Sequence, residues 1–117
     1  MKDLLKNLNE VPCVQGSMVI TDDGIMVAAV LGPELDEDTV AALSSSMVMT
    51  MRRSLRPFCG EIPDEILLTA DRGKLIFLSL GVAYLVVVTK KHLKLESDLV
   101  EIRSIARKIR HRCEMSV

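Results

Sequence analysis

Residues 14–28 read VQGSMVITDDGIMVA, two apolar runs on either side of Asp23-Gly24. Val14, Gly16, Met18 and Ile20 alternate with Gln15, Ser17, Val19 and Thr21, the two-residue period of a half-buried strand. Asp-Gly between apolar runs is among the strongest short hairpin signals, because such turns need a positive φ that glycine adopts at no steric cost. Ile25 to Leu31 then forms the return strand. A calcium loop starting at Asp22 is the competing reading, but the later oxygen ligands and closing glutamate of an EF-hand are missing. The stretch is therefore a hairpin, and the rest of the chain must cover it.

Upstream, Leu4, Leu5, Leu8 and Val11 share one helical face, which predicts a short amphipathic helix over 2–10 ended by Pro12. Downstream, Gly32-Pro33 breaks the strand and Asp36 is the best N-cap for a helix over 37–55. Acidic residues in its first turn and Arg52, Arg53 and Arg56 near its end suit the helix dipole, and Pro57 is expected to stop it. Glu65–Ala70, Lys74–Leu80 and Val82–Thr89 are strand-like runs joined by links short enough for an antiparallel meander. From about Leu95, the stripe Leu95, Leu99, Ile102, Ile105, Ala106, Ile109 and Cys113 predicts a closing helix. The order α-β-β-α-β-β-β-α makes an α+β sandwich around one five-stranded antiparallel sheet, in a single domain over 1–117.

The totals restrict function more than they define it. One domain is what 117 residues allow, and with 49% apolar but only 3% aromatic residues the core is aliphatic and methionine-rich. So few rings leave no surface for stacking bases. The net charge of −1 divides unevenly: residues 1–71 hold five Lys/Arg against twelve Asp/Glu, a net of −7, and residues 72–117 hold ten against four, a net of +6. Such a gradient suits pairing with another copy or a polar partner. Cys13, Cys59 and Cys113 are widely spaced and read as free thiols of a reducing compartment. The charged N-terminus is unlike a signal peptide, and the near-apolar run Leu75–Val88 is too short to span a membrane, so a cytoplasmic location without membrane insertion is expected.

The middle helix carries too much apolar surface for one buried face. Val40, Leu43, Met47, Met51 and Leu55 are expected to face the core. Opposite them lie Ala42, Ser45, Ser46, Met49, Arg52, Arg53 and Arg56, where charge appears only at the end. Small side chains admit a close neighbour, and Met49 gives it something to bury. Two such helices crossing antiparallel near Ser45, Ser46 and Met49 would bring one copy's Glu37 and Asp38 towards the other's Arg52, Arg53 and Arg56. Exposed ion pairs are worth only about 0–1 kcal/mol each, so they would orient the pair while burial supplied affinity.

Catalytic and cofactor signatures are missing. There is no P-loop, no G-x-S-x-G, no C-x-x-C, and His92 and His111 sit in basic surroundings that give no general-base signal. The basic run Arg103, Arg107, Lys108, Arg110 and Arg112 reads as a solvated face rather than a nucleic-acid contact. No catalytic residue, metal site or cofactor is expected, and the chain reads as a non-enzyme.

Residues 1–112 resemble the Roadblock (dynein light chain) domain family, whose architecture is profilin-like, and particularly its small prokaryotic members that regulate Ras-like GTPases. VQGSMVITDDGIMVA matches the family's opening of glycine, apolar strand, Asp-Gly and apolar strand. ILLTADRGKLIFLSLG (66–81) matches its paired strands with a charged-glycine turn, and LVEIRSIARKIR (99–110) resembles its closing helix. The resemblance implies a homodimer in which the third strand, Ile66, Leu67, Leu68, Thr69 and Ala70, pairs with its twin while the middle helices pack side by side. Ala42, Ser45, Ser46, Met49 and Arg53 would complete that interface. It also implies a partner: a small GTPase for prokaryotic members, dynein intermediate chains or lysosomal GTPase scaffolds for eukaryotic ones. Ser45, Met49, Arg52, Arg53 and Arg56 would face it. A regulator of GTP hydrolysis or localisation that orders the GTPase's own catalytic residues is the first expectation. A structural adaptor binding a scaffold or peptide is the second, and a ligand pocket between sheet and helix the third.

Overall fold

A computed structural model of the chain describes residues 1–59, 63–91 and 97–115. Its elements are α1 (Lys2–Leu8), β1 (Val14–Thr21), β2 (Met26–Leu31), α2 (Glu37–Cys59), β3 (Glu65–Thr69), β4 (Gly73–Ser79), β5 (Ala83–Lys90) and α3 (Ser97–Met115). Leu95 and His92 lie outside the described residues. The strands form one antiparallel sheet in the order β2-β1-β5-β4-β3, so the β3-β4-β5 meander is closed by β5 pairing with β1.

Helices cover both faces of this sheet. Met18, Ile20, Phe77, Tyr84 and Val86 pack under Val48 of α2. Val19, Ile76, Leu78, Leu85 and Val87 face Leu5 and Leu8 of α1 and Leu99, Ile102, Ile105 and Ile109 of α3. A helix of seven residues has no stability of its own. Complete burial of Leu5 and Leu8, worth about 1.5–3 kcal/mol apiece, holds α1 in place.

Central β1 departs from the half-buried strand that its alternation suggested, since all but its second and last residues are buried. The polar residue on its α1 side is satisfied rather than solvated. The Ser17 hydroxyl donates to Asn9 Oδ1 at 2.8 Å, and the Asn9 amide donates to the Val30 carbonyl at 2.8 Å, linking α1 to β1 and β2. A register shift between Val14 and Gly16 against β5 puts Val14 in the same core as Val19, although five residues separate them.

The middle helix differs from expectation in two ways. Asp36 caps it as expected, accepting the Thr39 amide at 3.1 Å, but Pro57 does not stop it and lies inside the last turn. Proline there forfeits one intrahelical bond, to the Arg53 carbonyl, which the two residues that follow can tolerate. The helix is also rotated. Ser44 and Val48 are fully buried, whereas Leu43, expected in the core, is 52% exposed; Val40, Met47, Met51 and Leu55 are half-buried. The cause of that rotation lies in the hairpin turn.

Candidate functional site

The turn predicted from Asp23-Gly24 sits directly on α2. Thr21 closes it, its amide donating to the Ile25 carbonyl at 2.8 Å and its hydroxyl accepting the Ile25 amide at 2.9 Å. Gly24 has φ of 91°, and a Cβ there would stand 3.3 Å from Ser45 Cβ and 3.4 Å from Met49 Sδ. Only glycine combines that dihedral with so close an approach to the helix.

Two helix side chains bind the turn's backbone. The Ser45 hydroxyl donates to the Gly24 carbonyl. Arg52 Nη1 donates to the Asp22 carbonyl at 2.6 Å, with Nη2 at 3.9 Å from the Asp22 carboxylate. These contacts draw Ser45 and Arg52 inward and thereby turn Leu43 outward. Among the described residues the buried Arg52 Nε has no hydrogen-bond partner, and the guanidinium holds the turn by its outer nitrogens. Beneath the turn, burial pushes the Tyr84 phenol above its ordinary pKa, partly offset by the nearby Arg52 charge.

The sequence-predicted residues thus divide into two groups. Ser45 and Arg52 support the turn. Ala42, Ser46, Met49 and Arg53 follow one another at i, i+4, i+7 and i+11 along one exposed stripe, with Met49 45% exposed, and Arg56 is exposed beside them. Asp22, Asp23, Met49, Arg52, Arg53 and Arg56 enclose a surface cavity of 420 Å³. Arg53 and Arg56 make no ion pair among the described residues. Sequence reasoning missed Asp22 and Asp23 as members of this cluster, because nothing local in TDDG indicates which helix the turn will meet. Ile25 and Val27, 62% and 56% exposed, extend the apolar surface from the turn into β2.

The expected strand interface lies at the free edge of the sheet. Among the described residues β3 bonds only to β4, in the register Glu65↔Leu78 through Thr69↔Lys74. Ile66 and Leu68 are half-buried, Leu67 is 38% exposed, and Thr69 and Ala70 are exposed. Glu65 at its start is held by Arg103 of α3 through a two-pronged contact at 2.7 and 2.6 Å, which keeps its carboxyl below the usual range. β3 is anchored on one side and open on the other.

Among the described residues no group of three or more His, Cys, Asp or Glu side chains could hold a metal ion. No described helix is long and apolar enough to cross a membrane. Cys13 is buried, and burial, assisted by nearby Asp98, raises its thiol pKa to about 11; His111 is exposed on α3.

A sheet covered by α2 on one face and by α1 and α3 on the other, with a hairpin turn bound to α2, defines a Roadblock-type domain. Residues 1–89 match the model of the Roadblock/LC7 domain, and the chain belongs to that family. An uncharacterised protein of Methanocaldococcus jannaschii is 25% identical over 107 residues, 92% of this chain and 94% of its own length. Among solved structures, Myxococcus xanthus MglB superposes with a TM-score of 0.82 at 16% identity, covering 97% of this chain and 94% of that one. A Roadblock/LC7 domain from Streptomyces avermitilis superposes with 0.81 at 18% identity, covering 97% and 98%.

Proposed function

We propose that two copies of this chain join through β3 and the outer stripe of α2 to form a noncatalytic platform for a Ras-like small GTPase, modulating its GTP hydrolysis or its localisation. The observation that carries this reading is the α2 surface itself. Ala42, Ser46 and Met49 offer an uncharged strip on the outer face of α2 that runs on to Arg53 and Arg56, neither with an ion pair among the described residues, and β3 leaves one edge of the sheet open. Backbone pairing along β3 satisfies its outward N–H and C=O groups. Burial of Met49 and Leu67 adds apolar contact.

In this reading Ser45 and Arg52 hold the hairpin turn against α2 and keep the platform rigid. Met49, Arg53 and Arg56 make the partner contact, and long-range attraction by the two arginines raises the rate of encounter with an acidic surface. Membership of the Roadblock/LC7 family and the likeness to MglB support the assignment. In this reading the catalytic groups belong to the GTPase, and the chain acts by holding them in place.

Capture of purified Ras-like GTPases, loaded with GTP or GDP, on the immobilised chain tests the proposal. Capture that depends on the nucleotide and is lost in Arg53→Glu/Arg56→Glu is the expected result. Equal capture of both forms, or none, rejects GTPase regulation in favour of a structural adaptor for a peptide or scaffold.

A further inference from the structure

Of the chain's three aromatic side chains, Phe77 and Tyr84 are buried, whereas Phe58 in the last turn of α2 is 87% exposed. Helical spacing sets its direction. Val40, Met47, Met51 and Phe58 follow at i, i+7, i+11 and i+18, within about 40° of one another around the axis. The first three are half-buried against the sheet. Phe58 falls on the same face but overhangs, because the 23 residues of α2 extend about 34 Å and the eight of β1 about 27 Å.

A cavity of 450 Å³ opens at the other end of that face. Leu35, Val40, Leu43 and Met47 form its helix wall, and Leu68 and Leu75 its floor. Thr69 and Ala70, at the free edge of the sheet, also line it. So do Arg72 and Lys74, neither with an ion pair among the described residues. One helix thus carries an apolar knob at its end and an apolar hole near its start.

A two-fold axis through β3 brings knob and hole together. Arg52 fixes the C-terminal half of α2 at Asp22, at the end of the sheet that holds Thr21, Ala83, Ser79 and Glu65. The cavity lies at the opposite end, with Thr69, Lys74 and Thr89. Antiparallel pairing of β3 with its twin exchanges these ends, carrying the second copy's Phe58 to the end where the first copy's cavity opens, and the reverse. Pairing about Leu67, the middle residue of β3, also sets Asp64 of the second copy opposite Ala70, next to Arg72 and Lys74 of the first. Opposite charges there orient the pair.

We infer that Phe58 of each copy fills the apolar cavity of the other, so that neither cavity is complete without the second chain. The inference rests on the β3 pairing proposed above and not on the GTPase. Aromatic side chains seated in a partner's pocket carry a large share of an interface's affinity. A ring that is bare in the single chain and covered in the pair contributes to association rather than to folding.

Sedimentation equilibrium of Phe58→Ala, of Leu43→Asp in the cavity wall, and of their mixture tests the seat, with circular dichroism confirming the fold of each. Phe58→Ala should weaken self-association at least about 100-fold, since each dimer seats two rings. Leu43→Asp, which sets a carboxylate in the hole, should weaken it similarly. The mixture should recover. A pair with one chain of each kind still seats the Leu43→Asp chain's ring in the Phe58→Ala chain's intact cavity, and should form at least about tenfold more tightly than either variant with itself. Wild-type affinity in Phe58→Ala overturns the inference, as does a mixture no tighter than its components or a wild-type chain that stays single. A wild-type dimer that captures GTPase by nucleotide yet ignores Phe58→Ala overturns this inference alone.

Discussion

Two glycines with nearly the same backbone dihedral give a direct measure of how firmly the hairpin turn is seated on α2. Gly24 has φ of 91° and Gly81 has φ of 89°. Alanine at either position must enter the left-handed region, at about 1–2 kcal/mol, and either gains the same few tenths to about 1 kcal/mol from a less free unfolded chain. Those contributions cancel in the comparison, and the surroundings remain. A Cβ at Gly81 meets nothing nearer than the flexible Arg110 guanidinium at 3.8 Å, whereas one at Gly24 stands 3.3 Å from Ser45 Cβ, which moves only if the helix or the turn moves. Small overpacking of this kind costs about 1 kcal/mol, the low end for a site at the protein surface. Gly24→Ala should therefore be less stable than Gly81→Ala by about 1 kcal/mol, a separation of roughly 0.5 M in the urea midpoint at an ordinary m-value for a small domain. Gly24→Ala should also weaken GTPase capture, because the turn and Arg52 share the platform, while Gly81→Ala leaves capture unchanged. Equal midpoints for the two variants would refute the seating of the turn on α2.

The rotated setting of α2 predicts that Val48→Ala costs roughly 2–3 kcal/mol, from two lost methyl groups and the cavity they leave, while Leu43→Ala costs under about 1 kcal/mol in the isolated domain; urea unfolding of both variants decides. Cys13, with its thiol held near pKa 11, is protonated at neutral pH and should resist iodoacetamide until the chain unfolds, as peptide mapping would reveal; rapid native labelling would contradict its burial. Glu65 has a folded pKa below its unfolded value, so its contribution is complete above the unfolded pKa of about 4.5 and is lost as pH falls through the lower folded value. Acid titration of Glu65→Gln against wild type should show the stability difference shrinking over that window, and a difference independent of pH would contradict the Arg103 contact.

The order of elements along the chain and the three helices were legible because each element carries its own period, whereas the pairing of β1 with β5 has no local signal. The two-residue alternation from Val14 and the stripe from Leu99 to Cys113 depend on local geometry alone. Both edges of the hairpin turn followed from Asp23-Gly24 for the same reason. The setting of α2 was not legible, because both of its arcs are apolar or small through Ala42 to Met49 and the hydrophobic pattern has no single direction there. What decides between them is a pair of polar contacts, Ser45 to Gly24 and Arg52 to Asp22, that join residues 21 and 30 positions apart. The burial of β1 on both faces likewise depends on α2 covering one of them and α1 and α3 the other, which a window of local sequence cannot register. The exposed stripe of Ala42, Ser46, Met49 and Arg53 was legible, since an absence of charge on a helix face is a local signal. The turn carboxylates beside its arginines were not.

Self-association is the step on which the platform depends, and sedimentation tests it without reference to any partner. The wild-type chain is predicted to sediment at twice its 13.0 kDa mass at micromolar concentration, and Met49→Glu, which places a charge in the centre of the stripe, at the single mass. A wild-type chain that sediments as a single copy across that range would contradict the account.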